Sequence, residues 1–342
     1  MTSARPPGES GSGETLSMTG PWRGRLRSSH AAARRRPKRD KQAATARGWK
    51  ERRSDIRRAG YPMLWRQQQL GFEARMGSYI DGHCHLDDAS FDEDRDAVWE
   101  RARAAGLVGA VLAGVSPETW GRQRALVSRY AGLVWTAGLH PCAVAGMSPV
   151  QIRTALDALP ACFVGPNPAR GLGELGLDTR LVEPASLDRQ LPVFRHQLAI
   201  ARDHALPIVL HLNGRGVHAA ALSLLRADGL PNAGGMVHAY SGSAELVAEY
   251  VALGLHLSFA ATVCRADARK VHRAVLSTPA DRLLVETDCP DQSPPGCARR
   301  NEPQNLLVIA DAIARIRSET SLLVLERSRR ALIGIFPAAF PL

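Results

Sequence analysis

The sequence lacks the features that mark secreted and membrane proteins. Its six cysteines form no CxxC pair and are too sparse in a chain of 342 residues for a disulfide framework, which excludes a disulfide-stapled secreted domain. No run of about 18 apolar residues is present to span a bilayer, and the basic opening segment lacks the apolar stretch of a secretory signal. We therefore expect a cytoplasmic protein with reduced cysteines and no membrane partner.

A basic surface over the main body of the chain is also lacking. The net charge is +11, but 18 of the 44 Lys and Arg residues and only 6 of the 33 Asp and Glu residues lie in residues 1–76. This leaves 26 basic and 27 acidic residues in residues 77–342, so that part is nearly neutral. A strongly basic protein usually indicates a nucleic-acid partner. Here the basic excess lies in residues 1–76, so the overall charge says little about the substrate of residues 77–342.

Residues 1–76 are interpreted as an Arg-rich extension rather than a folded domain. Residues 1 to about 58 combine Ser, Gly, Pro and Arg with few large apolar side chains, and such a segment buries too little apolar surface to offset its ordering entropy. We expect it to be disordered and to be a solvated tail, a nucleic-acid-binding tail or an over-extended gene start with Met76 as the true beginning. Residues 77–342 are expected to form the folded, functional domain, and no oligomer is predicted.

From Tyr79 onward the chain repeats a pattern of short apolar strand, loop and amphipathic helix. Eight strands are predicted, at Tyr79–His83, Val108–Ala113, Val134–Leu139, Gly171–Leu175, Ile208–Leu212, Gly235–Ala239, His256–Phe259 and Leu283–Thr287. Helical patterns lie between them, and further helices follow from about Glu302. Eight such units in this length indicate an α/β fold, a (β/α)8 barrel of the TIM type, whose catalytic groups lie at the carboxyl ends of the strands.

Side chains of the metal-binding type follow these predicted strands. In YIDGHCHLD, His83 and His85 are two residues apart and share a strand face, so both can point at one ion, while Cys84 turns to the other face. The remaining candidates at strand ends are His140, Glu174, His211, His238 and Asp288. One such histidine would be an ordinary core or loop residue. Their repetition at strand after strand predicts a site for divalent cations.

The motifs around these residues resemble those of the TatD family of metal-dependent nucleases, within the amidohydrolase superfamily, over residues 77–335. DGHCHLD is similar to the family's DxHxHLD, AGLHP to its GxHP, and GELGLD to its GEIGLD. HAYSGS, DRLLVETDCP and RRNEP are similar to its HxFSGS, ETDxP and RNxP. The chain departs from the family at residues 211–215, where HLNGR replaces the common HSRDA, and at Tyr240, where Phe is usual.

The resemblance implies a metal-dependent hydrolase with two divalent cations. His83, His85 and Asp288 would hold one cation, His211 and His238 the other, and Glu174 would bridge them. Mg²⁺ or Mn²⁺ is expected, with Zn²⁺ as the alternative. A water shared by ions roughly 3.5 to 4 Å apart would form a metal-bridged hydroxide that attacks phosphorus. Catalytic roles are expected for Asp288, as proton acceptor, and Glu174, and substrate contacts for His140, Arg215, Arg300 and Asn301.

Three functions remain open at this stage. The first is a deoxyribonuclease that cleaves phosphodiester bonds, acting as a 3′ exonuclease on single-stranded or frayed DNA or on RNA; the near-neutral body favours short contacts at a strand end. The second is an amidohydrolase acting on an amide, lactone or aminoacyl ester, since the same hydroxide can attack a carbonyl. The third is a non-catalytic, nucleic-acid-associated scaffold, against which the complete ligand set argues.

Overall fold

The computed structural model describes residues 78–180, 187–337 and 339–340. The predicted disordered extension at residues 1–76 lies outside the described residues. Within the described residues, no helix is both long and apolar enough to cross a membrane.

Eight parallel strands form a single sheet in the order of the chain, as the repeating pattern predicts. They are β1 (Tyr79–Cys84), β2 (Leu107–Leu112), β3 (Leu133–Ala137), β4 (Gly171–Asp178), β5 (Ile208–Asn213), β6 (Gly235–Val237), β7 (Leu255–Phe259) and β8 (Leu283–Val285). Every predicted strand is present, with its ends shifted by at most three residues. The predicted (β/α)8 barrel is confirmed.

Helices follow the strands and cover the outside of the barrel. They are α1 (Arg95–Ala104), α2 (Pro117–Arg129), α3 (Pro141–Gly146), α4 (Pro149–Ala158), α5 (Leu187–Asp203), α6 (Val217–Asp228), α7 (Ala244–Ala252), α8 (Arg269–Ser277), α9 (Leu306–Arg317) and α10 (Ser321–Ile335). Two of these helices, α3 and α4, contain a proline, which breaks a helix when it lies in the interior. In both helices the proline occupies the first turn, where it is tolerated.

Hydrogen bonds beyond the strand ends close the seam between β1 and β8. The Asp288 amide donates to the His83 carbonyl at 3.0 Å, and the His85 amide donates to the Cys289 carbonyl at 2.8 Å. The buried Asp81 carboxylate accepts from the Thr287 amide at 2.9 Å and from the Thr287 hydroxyl at 2.5 Å. The first and last strands are therefore locked together where the chain enters the polar rim.

The C-terminal helix fills the amino end of the barrel. Six strand residues form the lower interior: Ile80, Val111, Val134, Val209, Met236 and Leu284. They pack in one buried cluster with Leu332, Ile335 and Phe336 of the α10 region and with Phe340. This apolar plug closes the lower end, so only the carboxyl end of the barrel is left for a polar site.

Candidate metal centre

The six predicted ligands meet at the carboxyl end of the barrel. They are His83 on β1, His85 just after it, Glu174 on β4, His211 on β5, His238 just after β6 and Asp288 three residues after β8. All are buried or partly buried, so their charges are largely shielded from water. The structure thus brings together side chains from five different strand ends.

The Glu174 carboxylate lies at the middle of the group, and its two oxygens face different histidines. Oε1 is 3.4 Å from Nε2 of His83 and 3.4 Å from Nε2 of His85. Oε2 is 3.0 Å from Nε2 of His238 and 3.3 Å from Nδ1 of His211. One carboxylate therefore connects two sets of nitrogen donors.

Asp288 belongs to one of these two sets only. Its Oδ1 is 3.6 Å from Nε2 of His83 and 3.5 Å from Nε2 of His85. We call His83, His85, Asp288 and Glu174 Oε1 the first half-site. The second half-site consists of His211, His238 and Glu174 Oε2, with 2.8 Å between the facing histidine nitrogens.

Irregularities in two strands aim the ligands inward. The pairing of β4 with β5 skips Glu174, since Gly173 pairs with Val209 and Leu175 with Leu210. A shift in register also occurs in β1 between Asp81 and Cys84, around His83. A bulge of this kind frees one residue from the ladder and redirects its side chain. The Glu174 amide, released from the ladder, donates to the carbonyl of Gly114, just after β2, at 2.6 Å.

Close packing at Gly138 fixes the backbone of Glu174. A Cβ atom on Gly138 would lie 2.6 Å from the Glu174 carbonyl oxygen and 2.6 Å from the Gly173 carbonyl carbon. We expect Gly138→Ala to displace Glu174 and to lower the catalytic rate of the site about 10- to 100-fold, because an error of about 1 Å in a site costs up to about 100-fold. Metal content per chain and kcat measure this. Gly121→Ala, which meets nothing within 4 Å in α2, is the control; equal behaviour of the two variants would contradict the prediction.

The two carboxylates determine the charge of the centre. Burial would lower the pKa of His85, but its hydrogen bond to Asp288 and the charge of Glu174 raise it to about 10. Burial would raise the pKa of Glu174, but the nearby histidines, His238 first, lower it well below its usual range. The pKa of Asp288 is lowered as well, since its histidine neighbours outweigh burial. This field favours a cation, and a metal would displace protons from the ligands as it binds.

The donor atoms fit a divalent metal ion. Ligand bonds of about 2.0 to 2.2 Å place neighbouring donors of one ion about 3 Å apart, and the separations here run from 2.8 to 3.6 Å. His83 Nε2 is buried and has no hydrogen-bond partner among the described residues, which is costly unless an ion accepts its lone pair. Overlapping sets of donors able to hold a metal include His83, His85 and Glu174, and His140, Glu174 and His211.

Residues 80–336 match the family model for TatD related DNase. The chain belongs to the TatD family. An uncharacterized metal-dependent hydrolase of Bacillus subtilis (strain 168), YabD, is 31% identical over 242 residues, covering 70% of this chain and 92% of that protein. The 3′-5′ ssDNA/RNA exonuclease TatD of Rahnella sp. (strain Y9602) is 35% identical over 243 residues, covering 69% and 89%.

Solved structures agree with this membership. The crystal structure of YjjV, a TatD homologue from Escherichia coli K12, matches with a TM-score of 0.69 at 28% identity, covering 75% of this chain and 97% of that chain. The family, the barrel and the metal-dependent hydrolase class predicted from the sequence are therefore confirmed. Membership of the TatD family favours an enzyme over the third alternative, a non-catalytic scaffold.

Two carboxylates of this TatD-family site were not predicted. Asp178 Oδ2 is 3.0 Å from Nε2 of His211, and Glu286 Oε1 is 3.5 Å from Nδ1 of His238. The Asp178 contact fixes the tautomer of His211 and leaves its other ring nitrogen facing Glu174, as a carboxylate behind a ligand histidine does. Nδ1 of His238 has no hydrogen-bond partner among the described residues, so Glu286 contributes its charge beside that ring rather than a hydrogen bond. The sequence did contain a signal for both residues. Asp178 lies four residues after Glu174 in GELGLD, and Glu286 lies two residues before Asp288 in ETDCP. Even spacings of this kind place two side chains on the same face of a strand.

The four predicted substrate contacts lie in different settings. His140 Nε2 is 3.8 Å from Glu174 Oε2, and burial together with the charge of His211 lowers the pKa of His140 to about 3, so it is neutral. Arg215 is exposed on the loop after β5, and no ion pair within the described residues involves its guanidinium.

Arg300 and Asn301 are both engaged by the protein. Arg300 donates to both Asp94 oxygens at 2.7 Å, to Glu302 at 3.0 Å, and lies over the Phe91 ring. Asn301 is buried, and its side-chain amide donates to the Thr287 carbonyl at 2.8 Å while its oxygen accepts from Glu302. These contacts order the loop after β8, and direct contact of either residue with substrate stays a prediction.

Proposed function

We propose that this TatD-family hydrolase is a nuclease that removes nucleotides from the 3′ end of single-stranded or frayed DNA, or of RNA, using two divalent cations. The observation that carries the proposal is the position of Glu174, whose two oxygens face two separate sets of ligands. The Rahnella relative, named as a 3′-5′ ssDNA/RNA exonuclease, supports the choice of substrate.

The residues of the centre divide the chemical work among them. Bound cations would stabilise charge on a phosphodiester and lower the pKa of an attacking water; Mg²⁺ or Mn²⁺ is proposed, with Zn²⁺ as the alternative. Glu174 holds the two half-sites at a fixed spacing. Asp288 accepts the proton of the attacking water on Oδ1, the carboxylate oxygen that faces the first half-site. Asp178 keeps His211 oriented while charge develops at the substrate, and the negative charge of Glu286 lies beside His238.

The surface supports recognition of the backbone rather than of bases. Among the described residues no Phe, Tyr or Trp is exposed, so a platform for stacking bases is lacking on that surface. The described body also lacks the basic excess that a long duplex interface requires. Affinity should therefore come mainly from phosphate groups near the metal centre, with little dependence on sequence.

We propose His140 and Arg215 as the nearer substrate contacts, with Arg300 and Asn301 ordering the loop that carries Asp288. Arg215 has a free, exposed guanidinium within the described residues, which suits a phosphate.

Arg215→Ala should raise KM for an oligonucleotide more than the same change at Arg153, which is exposed on α4. Equal KM values would remove Arg215 from the proposal.

Degradation of one oligonucleotide labelled separately at each end tests the proposed function. We expect a 5′-labelled single strand to shorten step by step, and a 3′-labelled strand to release its label in the first product. A blunt duplex should be cut far more slowly. Glu174→Gln protein, purified in parallel, reports any contaminating nuclease. Release of 5′ nucleotides first, or equal cutting of a blunt duplex, would contradict the proposal.

The amidohydrolase alternative is less well supported by the residues of the centre. Many such relatives bridge their metals through a modified lysine, whereas the bridging position here is Glu174. The described residues contain a single lysine, Lys270 on α8, and its ammonium donates to the Ser241 carbonyl at 2.7 Å. A panel of amides and lactones, assayed beside a generic phosphodiester, distinguishes the two activities.

A further inference from the structure

Gln292 lies in the loop after β8, four residues beyond Asp288, and its side chain reaches back to that ligand. Its Nε2 donates to Asp288 Oδ2 at 2.5 Å. The other oxygen of the same carboxylate, Oδ1, faces His83 and His85. The amide therefore occupies the one oxygen of Asp288 that points away from the first half-site.

The orientation of this amide is itself determined by a second partner. Thr262, in a short 3-10 helix after β7, donates its hydroxyl to Gln292 Oε1 at 3.1 Å. Because a carboxylate can only accept, the NH₂ group must face Asp288, and the amide oxygen then faces the hydroxyl. Thr262, Gln292 and Asp288 thus form a directed chain of hydrogen bonds from one strand end to the next.

The backbone around this chain is held in an uncommon conformation. Asp288 and Gln292 both have left-handed φ angles, 55° and 49°, which non-glycine residues adopt only where their surroundings require it. Asn301 fixes this segment at both ends, because its amide donates to the carbonyls of Thr287 at 2.8 Å and Gln292 at 3.3 Å. The loop is therefore built to present the Gln292 side chain to Asp288.

We infer that Gln292, anchored by Thr262, is a positioning residue that restricts Asp288 to binding metal through Oδ1 alone. Without the amide, the carboxylate could rotate and offer either oxygen, so the first half-site would lose its fixed geometry. This inference rests on the proposed two half-sites of the centre. The second half-site has its own orienting carboxylate, Asp178, which contacts His211 at 3.0 Å, and should not depend on Gln292.

Mn²⁺ binding to the full-length protein, measured by calorimetry and by the electron paramagnetic resonance of free Mn²⁺, tests the inference. Gln292→Met keeps the shape and removes the amide, and Thr262→Val removes only the anchoring hydroxyl. We expect Gln292→Met to weaken one Mn²⁺ equivalent about 10- to 100-fold, the usual cost of losing a group behind a ligand, and to leave any other equivalent unchanged. Thr262→Val should give a smaller loss of the same equivalent.

The double variant and a matched control make the result decisive. In the Gln292→Met background, Thr262→Val should have no further effect, since the two residues act as one chain. Gln304→Met is the control, because Gln304 bonds Glu302 in the same region and not a ligand. If Gln292→Met does not fold, as judged by circular dichroism, the Thr262→Val protein carries the test.

Two results would overturn the inference. The first is wild-type Mn²⁺ affinity in Gln292→Met, or in Thr262→Val if that is the variant that folds. The second is a double variant whose loss of affinity equals the sum of the two single losses. The outcome for the proposed function is separate. Wild-type protein that binds Mn²⁺ but leaves a single-stranded oligonucleotide intact would refute the nuclease proposal. The Mn²⁺ affinities would still decide the role of Gln292.

Discussion

Replacing Glu174 with glutamine is expected to reduce hydrolysis of a single-stranded oligonucleotide at least about 100- to 1,000-fold, the scale on which a site loses a principal electrostatic group. The change preserves the shape of the side chain but removes its charge. It also turns one ligand oxygen into an NH₂ group, which cannot bind a cation. Because the two oxygens face different half-sites at 3.0 to 3.4 Å, the substitution removes the negative charge that both half-sites share and the oxygen ligand of one of them.

Rate and metal content together measure this outcome. We expect kcat to fall and the metal bound per chain to drop below the wild-type value, while the circular dichroism spectrum is retained. Glu118→Gln, at an exposed position in the first turn of α2, is the matched control and should leave both quantities unchanged. A Glu174→Gln protein with wild-type kcat would show that the centre lies elsewhere or that the measured activity comes from a contaminant.

Removing the metal is expected to abolish hydrolysis and to lower thermal stability. The first half-site and the second half-site place negative charge and histidine lone pairs in a buried space, so a bound cation favours the folded state over the unfolded one. A ligand present at 100 times its Kd stabilises by about 2.7 kcal/mol, which corresponds to roughly 5 to 10 °C in Tm for a domain of this size.

Dialysis against a chelator, followed by add-back of single metals, measures both effects. Activity should return with Mg²⁺ or Mn²⁺, and a Zn²⁺ sample tests the alternative ion. The Tm of the Glu174→Gln protein should respond much less to the chelator than the Tm of the wild type. Full activity after exhaustive chelation, with no metal detected by elemental analysis, would contradict the assignment of the chain's metal dependence to this centre.

The repeated strand pattern and the ligand motifs were readable in the sequence because each depends on local order. A short run such as residues 208–212, in which four of the five residues are apolar, predicts a strand. The fixed chain order of a barrel then places the polar residues at the strand ends at one rim. His83 and His85 were predicted to share a strand face. They do converge on Glu174, although a bulge in β1 contributes to this, which no periodicity reveals.

The residues behind the ligands could not be predicted with the same ease. Gln292 reaches Asp288 because both residues have left-handed φ angles. Asn301 holds this segment through hydrogen bonds to the carbonyls of Thr287 and Gln292. Asp178 acts on His211, which is 33 positions away in the chain. Such contacts depend on three-dimensional placement, and the sequence alone offers only the presence of suitable residue types in a motif.

The metal centre requires almost the whole folded domain, because residues from both ends of the domain close the barrel. Asp81 and Thr287, which lock the seam beside the ligands, are 206 positions apart. The plug beneath them is completed by Phe336 and Phe340, close to the last residue of the chain. No contiguous fragment much shorter than the domain therefore contains all the ligands, the seam and the plug. Most contacts that define the centre join residues far apart in the chain, so the centre requires nearly the whole domain to be folded.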